Sequence, residues 1–211
     1  MEFFIRNEQY NFIKEQTRIL VNGHSTVRDP GVLEALNSLA KEKVLQLFPE
    51  LNDQQRQLIE PISYIKTIEM AASYLEDLKP YVIPFAGLSE KAISKLFPKT
   101  KKLKVPDLER IDLAEISYLG WNDSGTNRKY LVVESADGLA GIEGNFKNSS
   151  KKGICAICNM HQDIGMFTAK AKGSGETYIK KGNYICQDSM SCNERIESRE
   201  KLENFISRII H

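Results

Sequence analysis

Cys155-Ala156-Ile157-Cys158, separated by 27 residues from Cys186 and, after five more, from Cys192, is the stretch whose reading decides the fold. Two cysteines spaced C-x2-C in a tight turn can place both sulfurs about 2.3 Å from one metal ion without strain. The second pair is more widely spaced. It works if Cys186 ends a strand through Tyr184-Ile185 and Cys192 lies in the first turn of the last helix, whose positive end favours a thiolate. Four thiolates close a tetrahedral shell, so the pattern predicts one structural zinc on Cys155, Cys158, Cys186 and Cys192. A catalytic zinc needs an open position, usually beside histidine or carboxylate ligands. A thioredoxin-like pair leaves Cys186 and Cys192 without a purpose. Glu194 follows Cys192 at the spacing a zinc deaminase uses, but here the C-x-x-C comes first and lacks its proline. The expected role of the metal is to hold together a glycine- and lysine-rich region short of core of its own.

Outward from the cysteines, Asn193 to Ile210 reads as one helix with Leu202, Ile206 and Ile209 along one side. Lys180-Lys181-Gly182-Asn183-Tyr184 reads as a turn beside the metal. Upstream, Ile116–Leu119, Tyr130–Val133 and Leu139–Ile142 are short runs of β-formers, separated by the turn sequences Asn122-Asp123-Ser124-Gly125 and Asp137-Gly138, so an antiparallel sheet is predicted. Ser89 opens a helix through Lys91 and Lys95 that Pro98 stops. Before Pro80 and Pro84 the period changes to that of helices. Leu33, Leu36, Ala40, Val44 and Leu47 form a core-facing stripe, capped by Asp29-Pro30 and ended by Pro49. Tyr10, Ile13, Thr17 and Leu20 mark an earlier helix. Leu58, Ile59, Ile62 and Ile65, then Ala71, Ala72, Leu75, Leu78 and Val82, mark two more, with Pro61 kinking or splitting the pattern. The fold class expected is α+β: a four-helix bundle-like domain, residues 1–85, then an α/β domain, residues 86–211, with a small antiparallel sheet and a four-cysteine zinc finger.

Composition narrows the function. Of 211 residues 41% are hydrophobic and 27% charged, enough apolar material for a real core. A net charge of +1 gives no global field for coating DNA. Residues 1–85 carry 9 basic and 12 acidic residues and the remainder 20 and 16, so the halves are about −3 and +4. Much of the excess lies at Lys91, Lys95, Lys99, Lys101, Lys102 and Lys104, either a solvated surface or a steering patch for an acidic partner, effective within about 8 Å in physiological salt. The acidic and polar start lacks the pattern of a signal peptide, and no run of about 18 apolar residues is present, so a cytoplasmic protein is expected. A reducing compartment also favours metal over disulfide. His24, His161 and His211 are far apart, which speaks against a histidine ligand set or base. Phosphate-cradling glycine loops and the hydrolase G-x-S-x-G are missing. No enzyme is expected.

What remains is a surface. Lys181 and Tyr184 are candidate partner contacts beside the rigid metal loop, against a solvated lysine and a packed tyrosine. At 100 degrees per residue, Phe205 lies about 65 degrees from the centre of the Leu202–Ile209 stripe and is expected half exposed, as a core-edge aromatic or an interface anchor. Trp121 is expected in the core.

With Tyr118-Leu119-Gly120-Trp121-Asn122-Asp123, Ser124 to Tyr130 with Asn127-Arg128-Lys129-Tyr130, Lys99 to Pro106, and Lys180 to Cys186 with all four cysteines, the chain resembles the fusidic acid resistance proteins of the FusB type over essentially its full length. The resemblance implies a helical bundle, then a zinc-bearing α/β domain that binds translation elongation factor G and releases it from ribosomes stalled by fusidic acid, without enzymatic activity; docking on the C-terminal domains of the factor is the expected mode. It further implies a factor-binding surface at Lys181, Tyr184, Phe205 and an aromatic just before the first cysteine. Ile154 stands at that last place, keeping an apolar contact while losing ring area. The rival reading is a zinc-dependent RNA- or ribosome-binding module using the lysine-rich segment and Tyr184. A third is a redox switch in which oxidation of Cys155 or Cys186 ejects the metal.

Overall fold

The computed structural model describes residues 2–85, 87–100, 102–123, 125–135, 138–172 and 178–210. Lys101, Ser124, Asp137 and His211, which figure in the sequence reading, lie outside the described residues. The chain divides into two compact units, Met1–Ile83 and Pro84–His211.

The first unit is helical. The helix α1 (Asn7–Thr26) buries Ile13, Thr17 and Leu20 of the face its spacing predicts, while Tyr10 is half-buried. In α2 (Pro30–Gln46), Asp29 is the N-cap: its carboxylate accepts from the backbone N–H groups of Gly31 and Val32 at 2.8 and 3.1 Å. The predicted α2 stripe is fully buried only at Ala40 and Val44, while Leu33, Leu36 and Leu47 are half-buried. Leu36 packs over Gly23 of α1, where an added Cβ would lie 2.2 Å from Leu36 Cδ2. The pattern around Pro61 resolves as a change of helix type. The short α3 (Asp53–Ile59) passes into a 3-10 helix, Glu60–Tyr64, because proline lacks the N–H an α-helix would need there. In α4 (Ile68–Leu78), the Tyr74 hydroxyl donates to the Ile59 carbonyl at 2.9 Å. A parallel bridge between Ile5 and Val82 closes this unit.

The second unit begins at Pro84, and its Phe85 is buried and tied by its N–H to the Leu113 carbonyl at 2.8 Å. In α5 (Glu90–Leu96), capped by Ser89 as predicted, Ile93 is buried, and Lys91 and Lys95 are exposed with Lys99, Lys102 and Lys104 beyond. The sheet is an antiparallel meander, β1 (Leu119–Asp123), β2 (Arg128–Ser135), β3 (Gly138–Ile154), β4 (His161–Lys172) and β5 (Tyr178–Cys186), in chain order. The glycine- and lysine-rich region therefore departs from expectation. It forms most of three long strands and buries Phe146, Ile157, Ile164, Phe167 and Ile185. Glycine lets aromatic rings lie flat on the sheet: a Cβ on Gly144 would meet the Phe167 ring at 2.6 Å, and one on Gly165 the Phe146 ring at 2.4 Å. Lys180 to Tyr184 is strand rather than turn.

The C-terminal segment is also corrected. It is two helices, α6 (Ser189–Asn193) and α7 (Arg199–Ile210). The apolar face of α7 is Leu202, Phe205 and Ile209, spaced three and four apart, and Ile206 is only half-buried. Phe205 is 2% exposed, with its ring 6.2 Å from that of Phe167, so it belongs to the core rather than its rim. The sheet sets this outcome: α7 packs across β4 and β5, and the side facing them is the one through residue 205. Trp121 is half-buried, stacked on Tyr130 at 5.2 Å and edge-on to Phe97 at 5.9 Å, in the cluster covering the other sheet face.

Candidate zinc centre and partner surface

The C-x2-C turn connects β3 to β4. Asn159, at φ 59°, closes it, and the Cys155 N–H donates to the Met160 carbonyl at 3.1 Å. The N–H groups of Ile157 and Cys186 both donate to Cys155 Sγ at 3.3 Å, which orients that sulfur as a metal-binding turn does. Cys186 ends β5, as the sequence predicts, whereas Cys192 sits in the five-residue α6 and not in the last helix. The unusual spacing of the second pair is thus one strand exit plus one helical turn, fixed by Asp188, whose carboxylate accepts from the N–H groups of Met190 and Ser191 at 3.1 Å each.

The donor set fits zinc. All four sulfurs are buried and lie within 4.8 Å of one another. Cys155 and Cys192 Sγ are 3.8 Å apart and Cys158 and Cys186 Sγ 3.7 Å. A tetrahedron with metal–sulfur bonds of about 2.3 Å has edges of about 3.8 Å. A disulfide needs about 2.05 Å. As free thiols the four would share protons unevenly. Hydrogen bonds from Cys158, Cys186 and Cys192 hold Cys155 far below the ordinary thiol range. The bond to Cys155 pushes Cys186 and Cys192 up, with burial adding to it. A divalent cation resolves that conflict by deprotonating all four. The centre is a structural zinc with four cysteine ligands in a treble clef: turn, hairpin and short helix.

The partner candidates distribute unequally around it. Tyr184 is 44% exposed on the edge strand β5, and its carbonyl accepts from the Ala156 N–H of the zinc turn at 2.8 Å. Ile154, 57% exposed, ends β3 just before Cys155. The registers align Lys147, Met166 and Tyr184 in one row across β3, β4 and β5. Lys181 pairs with Ala169 in a row of the opposite face, the one carrying the α7 core, and is half-buried. Tyr184 and Lys181 therefore leave β5 on opposite sides, which a turn would not have required. Phe205 supports the sheet from beneath. His161 is exposed at the start of β4, and His24 Nε2 lies 3.1 Å from Asn37 Oδ1 in the helical unit.

The open row continues into a groove of about 750 Å³ lined by Asn122, Arg128, Asn145, Lys147, Met166 and Thr168. Glu143 accepts from Arg128 Nη1, one of the lining residues, and from Thr100 Oγ1 at 2.5 Å each, and so ties the lysine-rich stretch to the sheet.

Fold and centre together define an α+β zinc protein, a helical unit joined to a treble-clef unit whose metal is structural. The elongation factor G-binding protein N-terminal family model matches residues 4–86, and the FBP C-terminal treble-clef zinc-finger model matches residues 94–208. The chain belongs to this family, the elongation factor G-binding proteins of the FusB and FusC type. No curated protein matches it. Among solved structures, the fusidic acid resistance protein FusC is similar at a TM-score of 0.82 and 34% identity, over 97% of this chain and 97% of that one.

Proposed function

We propose that this protein binds elongation factor G through the treble-clef unit and speeds its release from ribosomes stalled by fusidic acid, protecting translation without catalysis, in the cytoplasm. Family membership carries the reading, and the zinc centre supplies a rigid base beside which a contact surface loses little entropy on binding. Tyr184 and Ile154 are the direct apolar contacts proposed, Lys181 a charged one from the other side of β5, and Phe205 the support that fixes the strand. The C-terminal domains of elongation factor G are the proposed docking site. Residues 1–85 and 86–211 are proposed to fold as separate domains. Acceleration of release requires better binding to the departing conformation than to the trapped one.

Calorimetric titration of zinc-loaded protein into elongation factor G tests this, with Tyr184→Ala and Lys181→Ala beside it. A 1:1 complex weakened about tenfold by Tyr184→Ala, a change of about 1.4 kcal/mol, is expected. Absence of heat with fully zinc-loaded protein refutes it. Equal affinity for stalled and free factor, with unchanged release rate, refutes the release step. The second reading, RNA binding, draws on the exposed lysines of the lysine-rich segment, Lys99, Lys102 and Lys104, and on Tyr184, which shares its row of the sheet with Lys147. It predicts affinity for RNA that falls steeply with salt, in proportion to the phosphates contacted, where an aromatic-anchored protein interface falls little.

A further inference from the structure

Zinc on four thiolates is a dianion, and a buried dianion requires a compensating charge or convergent donors. Lys129 stands where one is needed. It occupies an inward position of β2, in alternation with Leu131 and Val133, and is 0% exposed. A lysine in such a row costs free energy unless a negative group faces it. Its Nζ donates to the Gln187 carbonyl at 2.9 Å and to Asn122 Oδ1 at 3.2 Å, and lies 4.8 Å from the Phe146 ring centroid. Gln187 directly follows the ligand Cys186. Burial lowers the Lys129 ammonium to about 8, and the negative groups that hold it up against that burial are Cys192, Asp188, Cys186 and Cys155.

The same contacts give a purpose to the Tyr118–Asp123 motif. Asn122 Nδ2 donates to the Gln187 carbonyl at 3.0 Å, so that oxygen accepts from both Lys129 and Asn122. Asn193, next to the ligand Cys192, accepts on Oδ1 from the N–H groups of Ser117 and Tyr118 at 2.8 and 3.2 Å and donates to the Tyr118 carbonyl at 2.9 Å. Lys129 and Asn122 of β1 therefore hold the Gln187 end of the segment that carries the second ligand pair, and Ser117 and Tyr118, just before β1, hold the Asn193 end.

We propose that Lys129 is the counter-cation of the zinc tetrathiolate and, through the Gln187 carbonyl and Asn122, the positioning residue that keeps the Cys186–Cys192 segment closed on the metal. Outer-shell partners of this kind are worth roughly 10- to 100-fold in metal affinity. The test uses the full-length, zinc-loaded protein mixed with excess of the chromogenic chelator 4-(2-pyridylazo)resorcinol, following zinc release in time. Lys129→Met keeps the apolar stem and removes the charge; it is expected to release zinc at least about tenfold faster. It should also lower the unfolding midpoint more in the zinc-loaded than in the zinc-stripped protein, whereas a packing role lowers both equally. Asn122→Asp, on an exposed residue, leaves the core intact and sets a carboxylate against Lys129, cancelling its field at the sulfurs, so it too should speed release. Wild-type release from Asn122→Asp overturns the proposal even if Lys129→Met fails to fold. Equal midpoint losses with and without zinc in Lys129→Met also overturn it.

Discussion

Truncating Phe205 to alanine separates a core residue from a contact residue. The ring is 2% exposed and 6.2 Å from Phe167, inside the cluster that α7 forms with β4 and β5. Burial of a phenylalanine side chain and the cavity left by its loss amount to about 3–5 kcal/mol. Against a domain stability of about 5–15 kcal/mol, Phe205→Ala should still fold but with a much lower midpoint. Urea unfolding can be followed on Trp121, the single tryptophan, which reports on this unit alone. Tyr184→Ala removes a ring that is 44% exposed and should change stability by less than about 1 kcal/mol while weakening elongation factor G about tenfold. Phe205→Ala, measured where it remains folded, should show the opposite: a large stability loss and a dissociation constant within about threefold of wild type, since about 0.7 kcal/mol separates such values. If Phe205→Ala unfolds at the wild-type midpoint and yet loses binding, the ring is a surface contact in solution and the reasoning fails.

Three further outcomes are expected. Gly120→Ala puts a Cβ 2.5 Å from Ser189 Oγ and 2.7 Å from Tyr118 Cε2, and so should cost about 1–3 kcal/mol in urea unfolding of the zinc unit. Asp29→Ala leaves the Gly31 and Val32 N–H groups without their cap and should cost the helical unit about 1 kcal/mol, read by its thermal midpoint in circular dichroism. Burial pushes the Tyr74 hydroxyl well above the ordinary tyrosine range. Its stabilising contribution is therefore complete below about pH 10 and lost above it, because the unfolded chain ionises first, at about 1.4 kcal/mol per pH unit. Tyr74→Phe should flatten the fall in helical-unit stability between about pH 10 and 11; an identical fall in both proteins would refute the assignment.

Ile154 keeps an exposed apolar surface before Cys155, so Ile154→Phe should tighten elongation factor G binding, and calorimetry that shows weaker binding would remove this residue from the surface.

Much of this protein was settled locally. Cysteine is chemically specific, so four of them fixed the metal and its ligands before any geometry was known. The Asp29-Pro30 and Ser89 caps were equally legible, because capping joins groups only two or three residues apart. Periodicity found α1 and the helical unit for the same reason: an amphipathic helix writes its buried face every three or four residues. The strand β4, and β5 before Tyr184, escaped because their inward positions hold glycine, alanine and asparagine beside single large residues such as Phe167 and Ile185. Those small residues make room for rings from neighbouring strands, which no single strand reveals. Tertiary structure alone decided that Phe205 faces inward, since which side of α7 is covered depends on how it crosses β4 and β5. It alone set Lys181 and Tyr184 on opposite sides of one edge strand. It alone brought Lys129 onto the Gln187 carbonyl beside the ligand Cys186, for a buried lysine reads as a surface residue until its partners, 57 and 58 residues away in sequence at Cys186 and Gln187, are folded into place.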